Sequence, residues 1–208
     1  MVSAGPTFED LDPVRFLGNR SSGKMGFAVA ASAAARGADV LLIAGPVTLP
    51  TPPDIKRIDV RSAAQMHAAV MAALPCDVYI GAAAVADYTP VSISPDKLKK
   101  LPGQDGLTLQ LVRTRDILAE VASHPNRPQL VVGFAAETHD VETYARGKLV
   151  AKKLDLIAAN RVGVEGSGFE SDVNTLVVYD ANGATTLGPG AKSGIADRLL
   201  DLIEARLA

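Results

Sequence analysis

A nine-residue stretch, 18–26, contains the residue types that proteins use to bind phosphate. Its sequence, GNRSSGKMG, has three glycines, two hydroxyls, one amide and two cations. Glycines let the backbone turn sharply and bring N–H groups close to a ligand. An alanine-rich run follows, and a helix beginning near Gly23 would add its N-terminal N–H groups and dipole to the charges of Arg20 and Lys24. The stretch therefore predicts a phosphate-binding loop that includes Gly18, Ser21, Ser22, Gly23 and Lys24.

The same stretch nearly matches the P-loop pattern G-x-x-x-x-G-K-[ST] of nucleotide hydrolases. Met25 stands where that pattern has a magnesium-binding hydroxyl, and a thioether is a poor ligand for a hard cation. The preceding residues, 11–17, include a proline and two charges, unlike the buried strand that leads into a P-loop. These departures disfavour a P-loop hydrolase. A structural glycine–serine turn without a ligand remains an alternative.

Composition limits the class of protein. At 208 residues the chain can bury a sizeable core, and we expect a single domain over 1–208. A formal charge of −2 and the lack of tryptophan disfavour nucleic-acid binding, which usually needs a basic surface. The single cysteine, Cys76, excludes an internal disulfide and favours a reducing compartment. Without a membrane-length apolar run or a signal pattern, the sequence predicts a cytoplasmic protein that binds neither nucleic acid nor membrane.

Strand and helix patterns alternate along the chain. Strands are predicted over 39–44, 55–60, 78–84, 107–112, 129–135, 155–159 and 174–179, and helices over 26–36, 63–74, 116–122, 141–154 and 194–207. This alternation predicts an α/β fold with a doubly wound, mainly parallel Rossmann-like sheet and helices on both faces. Residues 1–7 look like the last part of a first strand, so we expect a domain excised from a longer protein.

Ligands of such sheets bind outside the carboxyl ends of the strands. The strand at 39–44 is followed by Gly-Pro and not by the acidic residue that holds an NAD ribose, and no G-x-G-x-x-G is present, which disfavours a dehydrogenase. Two later strands end in a run of small residues before Asp87 and in Gly133-Phe134 before Glu137. We therefore expect a small-residue shelf, an aromatic ring and two carboxylates to meet the phosphate-binding loop at one edge.

Neither a metal site nor a nucleophilic triad can be assigned from the sequence. The three histidines, His67, His124 and His139, have no metal-ligand spacing and are expected at solvated surfaces. No Ser/His/Asp order is apparent. The metal ligands, if the protein uses a metal, are therefore unknown at this point.

Six segments together resemble those of a known enzyme family. They are AGPT at 4–7, DPVR at 12–15, GNRSSGKMG at 18–26, AAVADY at 83–88, KLKK at 97–100 and VGFAAET at 132–138. These segments resemble those of phosphopantothenate–cysteine ligase, the bacterial CTP-dependent ligase of coenzyme A biosynthesis. The resemblance extends from about residue 3 to the C-terminus. Because that domain commonly follows a flavin-dependent decarboxylase in one bifunctional protein, the resemblance implies a native fusion of this kind.

The resemblance implies a homodimeric ligase with CTP, 4′-phosphopantothenate and L-cysteine as substrates and Mg²⁺ as cofactor. The carboxylate of 4′-phosphopantothenate attacks the α-phosphate of CTP, which releases pyrophosphate and gives an acyl-cytidylate. The amine of cysteine then displaces CMP and forms the amide. Such a reaction needs positioning and fixed cations rather than a protein nucleophile.

Individual residues receive roles from the same resemblance. Asn19 is expected to engage the acyl-cytidylate from across the dimer interface, and Lys97 to contact the nucleotide phosphates, so both are expected to be catalytic. Lys99 and Lys100 are expected in a mobile flap that closes over the acyl-cytidylate, and Ala84 is expected to contact substrate.

The remaining expected contacts are with CTP. Besides the phosphate-binding loop, they are Gly81, Ala82, Ala83, Asp87, Lys97, Arg115, Asp116, Ile117, Leu118, Phe134, Lys148 and Lys152. Phe134 is expected beside the cytosine. Lys148 and Lys152 are four residues apart and therefore share a helical face.

Two segments depart from the family pattern. Phe8 replaces the arginine of Thr-Arg-Glu, and Thr114-Arg115 replaces Asn-Pro in a turn that usually reads Asn-Pro-Asp-Ile, which removes the fixed φ of proline. Three alternatives to the CTP-dependent ligase stay open. They are an ATP-using form of the same ligase, a non-catalytic nucleotide-binding domain with the same fold, and a Rossmann-type oxidoreductase.

Overall fold

A central sheet of eight strands organises the computed structural model, which describes residues 1–100, 102–103, 105–162 and 173–207. The strands are β1 (Val2–Ala4), β2 (Phe8–Asp10), β3 (Phe16–Gly18), β4 (Val40–Ala44), β5 (Ile55–Asp59), β6 (Val78–Gly81), β7 (Tyr88–Pro90), β8 (Leu111–Arg113), β9 (Leu130–Glu137), β10 (Leu156–Arg161), β11 (Val173–Tyr179) and β12 (Ala184–Ala191). The helices are α1 (Lys24–Ala35), α2 (Ala63–Ala72), α3 (Ile117–Ala122), α4 (Val141–Ala151) and α5 (Lys192–Leu207).

The sheet is mainly parallel, as predicted. Its strand order is β12-β11-β10-β9-β6-β1-β4-β5. Along the part of this order that runs β10-β9-β6-β1-β4-β5, every strand is parallel to its neighbours. By contrast, β11 pairs antiparallel with both β10 and β12. The predicted α/β class and doubly wound sheet are therefore confirmed.

Helices cover both faces of the sheet. α1 and α5 pack on one face, and α2, α3 and α4 pack on the other. Leu42 and Ile43 are neighbours on β4, yet Leu42 faces the first core and Ile43 the second, because successive strand residues point to opposite faces. A strand buried on both faces reads as a continuous apolar run, which made β4 easy to predict. Within the described part of the chain, none of the helices has the length and apolarity to span a bilayer.

The structure adds two short antiparallel hairpins outside the main sheet. β2 pairs with β3, where the rings of Phe8 and Phe16 stack with centroids 3.9 Å apart and Arg61 lies over both. β7 pairs with β8, with Tyr88 opposite Arg113. The strand predicted over 107–112 is confirmed only in part, because its partner β7 has three residues and the ladder covers Leu111–Arg113.

Close packing of α1 against β1 depends on Gly26. A Cβ at this residue would lie 2.5 Å from the Cβ of Ala4 and 3.2 Å from its Cα. We expect Gly26→Ala to lower the free energy of unfolding by about 1–3 kcal/mol, because the helix must move off the sheet. Urea unfolding measures the change. Gly147 on α4 is the matched control: a Cβ there meets nothing within 4 Å, so Gly147→Ala should stabilise the protein by about 0.4–1 kcal/mol. Two changes of the same sign would contradict this account.

Candidate functional site

A cleft of about 1060 Å³ opens at the carboxyl ends of the parallel strands. Small-molecule sites usually measure about 300–1,000 Å³, so the cleft lies at the upper end of the range for a ligand site. Most of the predicted site residues line it: Asn19, Ser21, Ser22, Gly23, Lys24, Gly81, Ala82, Ala83, Ala84, Asp87, Arg115, Asp116, Ile117, Leu118, Phe134, Lys148 and Lys152. Four predicted residues, Gly18, Lys97, Lys99 and Lys100, are not part of its lining.

The loop that precedes α1 forms one wall of the cleft. Gly23 is the N-cap of α1 and has a φ of 76°, a left-handed conformation that favours glycine. A Cβ at Gly23 would also lie 3.0 Å from Val47 and 3.4 Å from the backbone of Gly5. The helix thus begins at Lys24, next to Gly23 and two residues before the predicted span of 26–36, with its first N–H groups at the cleft. Gly18 instead ends β3, where a Cβ would lie 2.7 Å from the ring of Phe8.

Asn19 connects this loop to the small-residue shelf. Its Nδ2 donates hydrogen bonds to the carbonyl oxygens of Ala84 and Val85, at 3.1 and 3.2 Å. The side chain is nevertheless exposed at the cleft edge. Asn19 therefore holds the loop in place from a position that a ligand in the cleft can reach.

The shelf follows the end of β6 and supports the turn before α3. A Cβ at Gly81 would lie 2.8 Å from the side chain of Leu118, so the small residue lets α3 approach. Thr114, which departs from the family pattern, donates from Oγ1 to the carbonyl oxygen of Ala86 at 2.6 Å, and its amide donates to the carbonyl oxygen of Asp87 at 3.0 Å. The turn is thus fixed without proline. Asp87 itself is exposed and lines the cleft.

Arg115, which replaces the family's proline, belongs to a three-residue cluster. Its Nε and Nη2 donate to the two carboxylate oxygens of Glu120 at 2.9 and 2.8 Å. His67 Nε2 lies 2.9 Å from Glu120 Oε2, and His67 is only 9% exposed, so its predicted place at a solvated surface is wrong. The hydrogen bonds with His67 and then with Arg115 outweigh partial desolvation and lower the pKa of Glu120. A charged carboxylate therefore orients Arg115 at the cleft.

Two lysines at the C-terminal end of α4, Lys148 and the C-cap residue Lys152, also line the cleft. Lys148 Nζ lies 2.7 Å from Glu137 Oε1, and Lys152 Nζ lies 2.9 Å from Asp116 Oδ2. Asp116 is also the N-cap of α3, where its Oδ1 accepts a hydrogen bond from the amide of Ala119 at 3.1 Å. Both lysines are partly exposed, so an anionic ligand can compete for them.

Sequence reasoning missed several residues that line the same cleft. They include Arg113, Asn160, Asn174 and Lys192. Asn160 lies near the carboxyl end of the parallel strand β10, where the strand-end rule could have found it. Asn174 is the second residue of the antiparallel strand β11 and pairs in register with Gly190, two residues before Lys192. Only the observed register brings these residues to the cleft.

The lysine-bearing segment 97–100 does not line the cleft. Lys97 and Lys99 border a separate shallow depression with Ser94, Asp96 and Leu98. Lys97, Lys99 and Lys100 are exposed. Among the residues that the structure describes, no group of three or more His, Cys, Asp or Glu side chains could hold a metal ion by itself.

One protein family matches almost the whole chain. The family described as "DNA/pantothenate metabolism flavoprotein C-terminal domain" matches residues 1–207. The coenzyme A biosynthesis bifunctional protein CoaBC of Vibrio cholerae is 49% identical over 208 residues, which cover 100% of this chain and 52% of that protein. The CoaBC protein of Escherichia coli K12 is 50% identical, covering 99% of this chain and 51% of that protein.

A solved structure agrees with these relatives. The crystal structure of the C-terminal domain of a CoaBC protein superposes with a TM-score of 0.83 at 38% identity, covering 99% of this chain and 93% of that chain. The chain thus spans about half the length of the curated relatives that it matches.

Proposed function

Since the chain belongs to the DNA/pantothenate metabolism flavoprotein C-terminal domain family, we propose that it is a CTP-dependent phosphopantothenate–cysteine ligase of coenzyme A biosynthesis. The observation that carries the proposal is the cleft itself. Four separate parts of the sequence line the cleft: loop 19–24, shelf 81–84, turn 115–118, and Lys148 with Lys152. The 49% identity to a CoaBC protein of coenzyme A biosynthesis supports the choice of reaction.

The residues of the cleft suit the activation of a carboxylate by a nucleoside triphosphate. The carboxylate of 4′-phosphopantothenate attacks the α-phosphorus of CTP, a P–O bond forms, and pyrophosphate leaves with the electrons of the broken P–O bond. The N–H groups at the start of α1 and the side chain of Lys24 stabilise phosphate charge, and Lys97 joins them from the neighbouring segment. In the second step the amine of cysteine attacks the acyl carbon and CMP leaves. Asn19, at the cleft edge, orients the acyl-cytidylate for this attack.

The cleft also suits a magnesium ion that arrives with the nucleotide. Mg²⁺ in such enzymes is usually held by substrate phosphates, water and one or two carboxylates rather than by a protein cage. Asp87 is an exposed carboxylate in the cleft, whereas Asp116 pairs with Lys152 and accepts a hydrogen bond from the amide of Ala119. Asp87 would therefore hold the ion, which would neutralise charge on the triphosphate.

The β7–β8 hairpin supports the proposal of a homodimer. Tyr88, Val91, Leu111 and Val112 are large apolar residues that are 41–57% exposed there. An isolated two-stranded ribbon is marginal in water, and a second copy of the chain would cover these side chains. Because Tyr88 directly follows Asp87, a copy docked there would reach the cleft edge, as the role of Asn19 requires. Sedimentation equilibrium should give the mass of a dimer.

The relatives favour a larger native protein. This chain matches about half of bifunctional CoaBC proteins, so we propose a native fusion to a flavin-dependent decarboxylase domain, acting in the cytoplasm. The ligase proposal does not depend on that fusion.

The test is a reaction of the purified chain with 4′-phosphopantothenate, L-cysteine and either CTP or ATP. We expect one pyrophosphate and one CMP for each amide product, with ATP at least about 10-fold slower. With cysteine omitted, pyrophosphate should appear in a burst equal to the enzyme concentration, which reports the acyl-cytidylate. Equal AMP release from ATP would contradict the nucleotide assignment, and CTP binding without any product would favour the non-catalytic alternative.

A further inference from the structure

The motif Asp12-Pro-Val-Arg15 forms the connection of the β2–β3 hairpin and does not line the cleft. The carboxylate of Asp12 is fully buried. Its Oδ1 accepts hydrogen bonds from the amides of Val14 and Arg15, both at 2.8 Å. Its Oδ2 accepts from Arg15 Nε at 3.0 Å and from the amide of Leu98 at 3.1 Å. The bond to Leu98 leaves the hairpin and reaches the segment that carries Lys97.

Arg15 makes a second link to the same residue. Its Nη2 lies 2.7 Å from Asp12 Oδ2 and also donates a hydrogen bond to the carbonyl oxygen of Leu98. The amide of Ser94 adds a further link, donating to the carbonyl oxygen of Leu11 at 3.0 Å. The N–H and the C=O of Leu98 are thus both bound by one ion pair.

We propose that Asp12 and Arg15 are positioning residues for Lys97, holding the backbone of Leu98 so that the lysines on either side of it extend from a fixed point. The inference rests on the proposed function, in which Lys97 contacts the nucleotide phosphates. The hairpin leads directly into Asn19, so the anchor lies next to the cleft.

The anchor reduces the backbone freedom of an otherwise exposed segment. Lys97, Lys99 and Lys100 are exposed, and without a fixed residue between them their backbone would lose entropy each time a lysine engaged a ligand. A carboxylate that accepts several hydrogen bonds makes a strong and directional anchor. Burial alone would raise the pKa of Asp12, but the hydrogen bonds from backbone amides and from Arg15 lower it to about 2. Asp12 therefore stays ionised at the pH of any ligase assay.

Asp12→Asn tests the anchor, because the amide keeps the shape and loses the charge and one acceptor oxygen. One oxygen cannot serve both the hairpin amides and Leu98. We expect hydrogen exchange at the Leu98 amide to become at least about 10-fold faster, while kcat falls by about 10- to 100-fold with little change in the KM for CTP. In the background of Lys97→Gln, Asp12→Asn should lower kcat no further, since Asp12 acts through that lysine.

Asp10→Asn is the matched control, since Asp10 lies in the same hairpin and pairs with Arg61 instead. It should leave Leu98 exchange and kcat unchanged. If Asp12→Asn fails to fold, Arg15→Gln removes the second link and should give the same two effects. Unchanged exchange at Leu98, or kcat losses that multiply with Lys97→Gln, would overturn the proposal. If the unaltered chain has no ligase activity, the proposed function fails while exchange at Leu98 still tests the anchor.

Discussion

Replacing Asn19 by alanine is expected to lower the rate of amide formation by about 100-fold or more. The proposed role of Asn19 is to orient the acyl-cytidylate, and loss of one preorganised donor at a reacting group typically costs a factor of about 10²–10³ in kcat. The side chain is exposed at the cleft edge, so it can reach a ligand. Steady-state CMP release with all three substrates measures the loss. A turnover equal to that of the unaltered protein would show that Asn19 has no such role.

A structural effect of the same substitution must be separated from the chemical one. Asn19→Ala also removes the hydrogen bonds to the carbonyl oxygens of Ala84 and Val85, so loop 19–24 loses its link to the shelf. If the chemical role is correct, CTP should still bind within about threefold and the unfolding midpoint should stay close to its original value. A loss of CTP binding in proportion to the loss of rate would instead assign Asn19 to loop stability alone.

Mixed dimers test whether Asn19 acts across the interface. Asn19→Ala protomers can be mixed with protomers that carry Lys148→Gln and Lys152→Gln. If Asn19 reaches the partner's cleft, each mixed dimer regains one complete site. At a CTP concentration far below the KM of the lysine variant, the mixture should then be more active than either variant. If Asn19 serves its own cleft, no site in the mixture is complete and activity should not recover.

Much of the fold could be predicted because parallel strands buried on both faces have an unambiguous sequence pattern. β4 is an uninterrupted apolar run, and Gly81 ends β6 where the cleft lies. β2, β3 and β7 have three residues each and no such run, so local pattern could not define them, and the alternation over 107–112 predicted only part of β8. β12 contains two glycines and a proline, which argue against a strand until its pairing with β11 is known.

The residues of the site likewise fall into those that the sequence could predict and those that it could not. Residues at the ends of parallel strands and in the loop before α1 were predictable, because topology brings strand ends to one edge. Partners that meet only through the tertiary fold were not: His67 and Glu120 are 53 residues apart, and Lys152 and Asp116 are 36 apart. The anchor between Asp12 and Leu98, 86 residues apart, is hidden for the same reason.

Lys152→Gln is expected to raise the KM for CTP by about 10-fold, and Lys148→Gln with Lys152→Gln by up to about 100-fold. In the absence of ligand each lysine pairs with a carboxylate at a partly exposed site, and such pairs contribute only about 0–1 kcal/mol. A lysine therefore loses little free energy when it leaves its carboxylate for the nucleotide. The charge-assisted hydrogen bond that it then forms contributes about 1.5–3 kcal/mol. Since about 1.4 kcal/mol corresponds to a factor of ten, each lysine accounts for roughly one order of magnitude.

The pattern of kinetic constants distinguishes nucleotide binding from a general charge effect. In the proposed function both lysines bind CTP before and during the first step, so their loss should raise the KM for CTP while kcat changes little. Arg146→Gln is the control: it removes one cation from the same helix, but Arg146 lies over the ring of Tyr179 and pairs with Glu142, outside the cleft lining. It should leave KM for CTP unchanged. If Arg146→Gln raises KM as much as Lys152→Gln does, the two lysines attract CTP only through the overall charge of α4. If kcat falls and KM does not, they act on the reacting phosphate instead of on nucleotide binding.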